Sequence, residues 1–212
     1  MNKKDKKELI STNLDKMFPS PKCELTYNKD YELLIKVMLS AQTTDKRVNE
    51  VTKDLFMKYD TLEKLNELSI EQIENTIKSI GMYKQKSKHF KEITSELIKL
   101  GGKVPNDRET LEKLSGIGRK TTNVVLSELY NEPAIAVDTH VFRVSKRLNI
   151  TKENDDVLTT EKKLMKFFKK EEWAKTHKQL VLFGRYKCKA KNPDCENCPF
   201  TNICKYNNLK NK

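Results

Sequence analysis

Apolar side chains recur at intervals of three and four along most of the chain, the spacing of amphipathic helices. Leu33, Leu34, Val37, Met38 and Ala41 share one face. Val48, Val51 and Leu55 share another behind Thr44-Asp45, a pair suited to an N-cap. Ser69-Ile70-Glu71-Gln72 reads as a capping box opening a helix through Ile73, Ile77 and Ile80, stopped by Gly81. Phe90, Ile93 and Leu97 mark a helix ending at Gly101-Gly102, and Asn106 with Glu109 caps a short one. Further helices are predicted through Val124, Val125 and Leu129; through Val141, Val144 and Leu148; through Leu164, Phe167 and Phe168; and through Trp173, Leu180 and Val181. Ala134-Ile135-Ala136-Val137 has the character of a short strand, but nothing nearby resembles a partner. The fold class is therefore all-α. All six glycines are expected at helix ends or in a hairpin at 116–118, the tail from Tyr206 onward reads as frayed, and no repeat of fixed period is present. Asn131-Glu132-Pro133 is the natural point for the chain to pass from one helical unit to another.

At 212 residues the chain can build one generous domain or two small ones. Its net charge of +12 favours a polyanionic partner, of which nucleic acid is the commonest; a lysine-rich solvated surface explains the charge equally well. The charged start, Met1-Asn2-Lys3-Lys4, is followed by no apolar segment of the kind a signal peptide needs, and no apolar run approaches the ~20 residues that span a bilayer. No membrane partner and an intracellular, cytoplasmic location are expected. Five cysteines in such a compartment argue against a disulfide framework.

The stretch carrying most chemistry is Leu114-Ser115-Gly116-Ile117-Gly118-Arg119-Lys120, then a helical run, then Val137-Asp138-Thr139-His140. Two glycines around one apolar residue make a tight turn between helices. Backbone N–H groups at the second helix's N-terminus can then hold a phosphate without any side chain. One lysine, Lys120, follows at once; one aspartate, Asp138, comes 18 residues later. A phosphate grip, a primary amine and a carboxylate together suggest chemistry on nucleic acid; the plainer reading is a phosphate-binding lysine and an N-cap.

Cys188, Cys195, Cys198 and Cys204 stand in a C-x6-C-x2-C-x5-C pattern. Four thiolates within 17 residues can enclose a metal centre. Zinc usually shows two C-x2-C knuckles and here there is one; the wider gaps favour something bulkier, such as a [4Fe–4S] cluster. Lys187, Lys189 and Lys191 decorate the first loop of this cluster, either solvated or held toward phosphates by the stapled loop. Cys23 stands apart as an ordinary buried or semi-buried thiol.

Taken together, these motifs resemble the endonuclease III family of helix-hairpin-helix DNA glycosylases. The resemblance runs through Leu39-Ser40-Ala41-Gln42-Thr43-Thr44-Asp45, Ile80-Gly81-Met82-Tyr83, the Leu114–Lys120 hairpin, Ala136–Val144, Gly184-Arg185-Tyr186 and the four cysteines at the family's own spacing. It covers nearly the whole chain. It implies two helical domains flanking a DNA-binding groove: a six-helix barrel with the helix-hairpin-helix over residues 25–133, and an iron–sulfur domain built from residues 1–24 and 134–212. It also implies a [4Fe–4S] cofactor on Cys188, Cys195, Cys198 and Cys204. The partner implied is double-stranded damaged DNA, bound by a monomer at the nucleoid.

The activity implied is excision of oxidised pyrimidines followed by strand cleavage at the abasic site. Extruding a base that already stacks poorly costs less, which is one source of selectivity. The resemblance assigns Gln42 and Met82 to filling the vacated space; leucine is common where Met82 stands. The residues alone suggest a helix C-terminal cap and ordinary core. Gly116, Gly118, Arg119, His140, Lys189 and Lys191 complete the expected DNA contacts. Lys120 is the implied nucleophile, forming a Schiff base at the sugar C1′. A helix N-terminus, Arg119 and desolvation by an extruded nucleotide favour its neutral amine, whereas a carboxylate opposes it. Asp138 is then left to accept a proton and to stabilise a cationic sugar. Two alternatives stand beside this. A monofunctional adenine or mismatch glycosylase of the same superfamily lacks a lysine at the position of Lys120. A non-catalytic hairpin module for DNA binding needs no carboxylate.

Overall fold

The structure, a computed structural model, describes residues 1–210, and among these there is no strand. The helices are α1 (Lys3–Met17), α2 (Asp30–Leu39), α3 (Asp45–Lys58), α4 (Leu62–Glu67), α5 (Ile70–Ile77), α6 (Tyr83–Lys99), α7 (Arg108–Lys113), α8 (Arg119–Leu129), α9 (Thr139–Arg147), α10 (Val157–Phe167), α11 (Trp173–Leu182) and α12 (Lys205–Lys210). They fall into two compact units, one spanning Cys23–Tyr130 and the other joining Met1–Lys22 to the chain from Asn131 onward.

In the Cys23–Tyr130 unit, α2 is buried at every position from Tyr31 to Leu39 and packs on α3, α6 and α8. A helix apolar all round belongs in the middle of a unit. Its two buried charged residues are each satisfied. Glu32 accepts from the Asn28 amide at 2.8 Å, and Lys36 donates to the Thr26 carbonyl. Around α2, the residues Ile73, Ile77, Phe90, Ile93 and Leu97 are fully buried. Each such side chain contributes about 1.5–3 kcal/mol by leaving water. The expected caps on α3 and α5 are present: Thr44 accepts from the Arg47 amide, and Ser69 and Gln72 form a reciprocal capping box. The short helix before the hairpin is capped one residue later than the pattern suggests. Asp107, not Asn106, has the extended backbone, and its Oδ1 accepts from the Thr110 amide at 2.8 Å. Ile80 is buried but lies beyond α5, which ends at Ile77.

In the other unit, Ile10 and Leu14 of α1 join Val141, Val144, Leu164, Leu180, Phe183 and Phe200 in a second core. Phe183 and Phe200 meet edge to face at 5.2 Å between ring centroids. Residues 134–137 are buried but form no strand. Two expectations are corrected here. Gly184 is not at a helix end; it lies within a π-helical turn, Phe183–Lys187, where a Cβ would come within 2.8 Å of His140 Cβ. The tail at Tyr206 is not frayed: it is helical as α12, with the Arg147 guanidinium stacked 4.1 Å from the Tyr206 ring centroid.

Candidate active site and nucleic-acid interface

Within the Cys23–Tyr130 unit the hairpin joins α7 to α8. Arg108 braces its two arms, donating to Glu112 on its own helix at 2.8 Å and to Asn123 of α8 at 2.6 Å. Gly116 sits at φ +71°, a conformation costly for a residue with a Cβ, and Ile117 anchors the turn in the core. Gly118 is the N-cap of α8 and offers no side-chain cap. The first-turn amides are therefore presented to solvent at the positive end of the helix. Arg119 and Lys120 occupy the first two positions of α8 and are exposed.

His89 of α6, a residue with no recognisable sequence signature, supports this turn. Its Nδ1 lies 2.6 Å from Ser115 Oγ, and its ring fills the space where a Cβ on Gly116 would go. Gln42 and Met82 lie in the same unit. Both are exposed and both have positive φ, 56° and 60°. Neither matches what the residues alone suggest: Met82 is 52% exposed rather than core, and Gln42 lies past the C-cap of α2, which is Ser40. A non-glycine residue held left-handed stores strain and occurs disproportionately at functional sites. A cleft of about 900 Å³ elsewhere in this unit, lined by Glu32, Lys36 and Phe56 among others, contains none of these residues.

In the other unit Asp138 is the N-cap of α9. Its Oδ1 accepts from the Val141 amide at 2.8 Å, and among the described residues no hydrogen bond engages Oδ2. His140 and Asp138 are half-buried. His140 Nδ1 lies 3.3 Å from an Arg143 nitrogen. Arg143 donates onward to the Gly184 carbonyl at 2.7 Å and the Cys188 carbonyl at 3.1 Å. Arg147, one turn later, donates to the Lys189 carbonyl at 2.7 Å and to Cys188 Sγ at 3.3 Å. The loop's main chain is thus held by two arginines of α9. Lys189 and Lys191 are exposed, while Lys187 pairs with Asp194 at 2.7 Å.

Cys188, Cys195 and Cys198 are half-buried and Cys204 is buried, all as free thiols. Their side chains lie within electrostatic reach of one another: burial is the largest influence pushing the Cys198 thiol up, and Cys188, Cys204 and Cys195 add to it. Burial also raises the Cys188 thiol, against the pull of Arg147. Partly desolvated cysteines with such neighbours suit a cationic centre that accepts them as thiolates. Among the described residues no three such ligands are close enough to share a single ion.

A family model for the HhH-GPD superfamily base excision DNA repair proteins matches residues 35–170. The endonuclease III of Bacillus subtilis (strain 168) is 48% identical over 206 residues, covering 97% of this chain and 94% of that one. The chain belongs to the endonuclease III family. The endonuclease III of Escherichia coli (strain K12) is 40% identical, covering 97% of each chain. The solved structure of a trapped endonuclease III–DNA covalent intermediate superposes with a TM-score of 0.95 at 46% identity over all of both chains. A second family model, the iron-sulfur binding domain of endonuclease III, matches residues 188–204, bounded by Cys188 and Cys204. The cofactor of this family member is a [4Fe–4S] cluster, and the gathered thiols fit it. No helix among the described residues is long and apolar enough to cross a membrane.

Proposed function

We propose that this protein is a bifunctional base-excision-repair enzyme: a DNA glycosylase that removes oxidised pyrimidines from duplex DNA and an abasic-site lyase. It works as a monomer in the cytoplasm, at the nucleoid. The observation carrying the reading is Lys120, an exposed amine at the second position of α8, directly behind a hairpin whose amides are open to phosphate. A lysine at this position, in a chain of this family, speaks against the monofunctional and non-catalytic alternatives.

In this reading the hairpin at Gly116 and Gly118 grips the backbone, assisted by Arg119, Lys189, Lys191 and His140. Gln42 and Met82 enter the space left by the extruded nucleotide; an exposed, flexible methionine is an apt wedge. The Lys120 Nζ lone pair forms a bond to the sugar C1′ as the C1′–base bond breaks, and the base leaves with that electron pair and takes up a proton. Asp138, with Oδ2 unengaged, accepts the proton lost by the amine and stabilises positive charge on the sugar. Ring opening gives a Schiff base, and loss of a proton from C2′ expels the 3′ phosphate by β-elimination. Cys188, Cys195, Cys198 and Cys204 hold the cluster, whose contribution is to fix the loop that carries Lys189 and Lys191.

Borohydride reduces a lysine Schiff base to a permanent bond. Incubation with an abasic duplex and borohydride should therefore give a covalent complex with the wild type and none with Lys120→Ala. The variant should keep its affinity for undamaged duplex within about threefold, since the hairpin amides remain. Undiminished trapping by Lys120→Ala would falsify the assignment.

A further inference from the structure

Lys86 is 3% exposed, and among the described residues no carboxylate pairs with it. Its ammonium instead donates to the Leu39 carbonyl at 2.9 Å, the Ala41 carbonyl at 2.6 Å and Thr43 Oγ1 at 3.3 Å. Three donors meet three acceptors, the whole capacity of an ammonium group. The acceptors are the last residue of α2 and the two residues flanking Gln42. Lys86 itself stands in the first turn of α6, and its own amide bonds to the Met82 carbonyl at 3.0 Å. The two loops also run side by side: a Cβ on Gly81 would lie 3.8 Å from the Gln42 carbonyl. Gln42 and Met82, both exposed and left-handed, therefore rise from adjacent loops tied together beneath the surface by one buried lysine.

We infer that Lys86 is a positioning residue, locking the Gln42 loop onto the start of α6 so that Gln42 and Met82 meet DNA as one rigid pair. This rests on the proposed reading of those two residues as wedges. The ammonium takes no part in the chemistry; it fixes the geometry of two side chains that do their work only when a base has left the stack. It also holds both left-handed residues in place when no DNA is bound, so little ordering cost remains for the encounter. Other lysines bonded to main-chain carbonyls, Lys36 at Thr26 and Lys91 at Leu68 among them, brace segments that carry none of the candidate site residues.

The test compares wild type with Lys86→Met, which keeps the aliphatic stem and removes the donors. Two readouts are needed: amide hydrogen exchange of the DNA-free protein at 40–44, and affinity for a duplex with a tetrahydrofuran abasic analogue against the same duplex undamaged. Exchange at 40–44 should rise about 10- to 100-fold, the weight of a charge-assisted hydrogen bond. Preference for the abasic duplex should fall about tenfold by the same measure, with affinity for undamaged duplex unchanged. In a Gln42→Ala background, Lys86→Met should cost little further preference. Unchanged exchange, or equal loss of affinity for both duplexes, overturns the inference. Faster exchange with preference intact overturns the wedge assignment instead. If Lys86→Met does not fold, Thr43→Val removes the outermost acceptor alone; the same changes at smaller amplitude support the clamp, and none refutes it.

Discussion

Gly116→Ala isolates how much the hairpin depends on a missing side chain. At φ +71° an alanine carries a left-handed cost of about 1–2 kcal/mol. Its Cβ would stand 2.8 Å from His89 Cγ and 2.9 Å from Cδ2, an overlap that a ring hydrogen-bonded to Ser115 cannot easily yield to. Overpacking of this kind costs about 1–3 kcal/mol. The stiffer unfolded chain returns about 0.4–1 kcal/mol. The balance is a loss of roughly 1–4 kcal/mol, with weaker binding to any duplex because the turn amides are displaced. His89→Ala alone forfeits the Ser115 hydrogen bond, about 1 kcal/mol. In combination it makes room for the new Cβ, so the double variant should be more stable than the sum of the single losses allows. Urea unfolding followed by far-ultraviolet circular dichroism measures this. A neutral Gly116→Ala, or strictly additive losses in the double variant, refutes the reasoning.

Asp138→Asn should retain the cap to Val141, since asparagine also caps helices, yet slow single-turnover base release by about 10²–10⁴; a rate within a few-fold of wild type makes Asp138 structural only. Lys189→Ala and Lys191→Ala should each weaken binding to damaged and undamaged duplex alike and lower the salt slope of log K by about one. Loss confined to damaged DNA would instead place these lysines in lesion recognition. Cys198→Ser should abolish iron content on elemental analysis and open the 188–204 loop to protease near Ala190, while circular dichroism shows the helices of residues 23–130 intact. Stoichiometric zinc without iron in anaerobically purified wild type would exclude the cluster.

Helix periodicity and capping were readable because both are local. The Ser69 box and the Thr44 cap depend on residues three apart and need nothing from the rest of the chain. The cap choice between Asn106 and Asp107 was not readable, since adjacent side chains of equal capping ability are separated only by where the preceding loop turns. Gly184 misled for a tertiary reason: it is glycine because α9 passes against it, and no neighbour in sequence reports that. His89 and Lys86 were silent for the same reason. Their partners lie 26 and up to 47 residues away, and a lone histidine or lysine on a charged helix looks like surface. Lys120 and Asp138 were legible as candidates from spacing and resemblance, but the open Oδ2 of Asp138 and the left-handed backbone at Gln42 and Met82 emerge only in the folded chain.

The Met1–Lys22 segment completes a unit whose remainder begins at Asn131. During synthesis this makes α1 an early arrival with nothing to dock on. The partners of Ile10 and Leu14, and Gln179, which donates to Asp15 at 2.7 Å and to the Phe18 carbonyl at 3.0 Å, leave the ribosome only after the whole Cys23–Tyr130 unit. At about 5–20 residues per second that wait is roughly 10–30 s. The segment's composition suits a long exposure: lysines at 3, 4, 6, 7, 16 and 22 surround just two fully buried apolar residues. A nascent chain paused with α11 still in the exit tunnel should therefore show a protected 23–130 unit and a protease-accessible, yet soluble, amino-terminal segment.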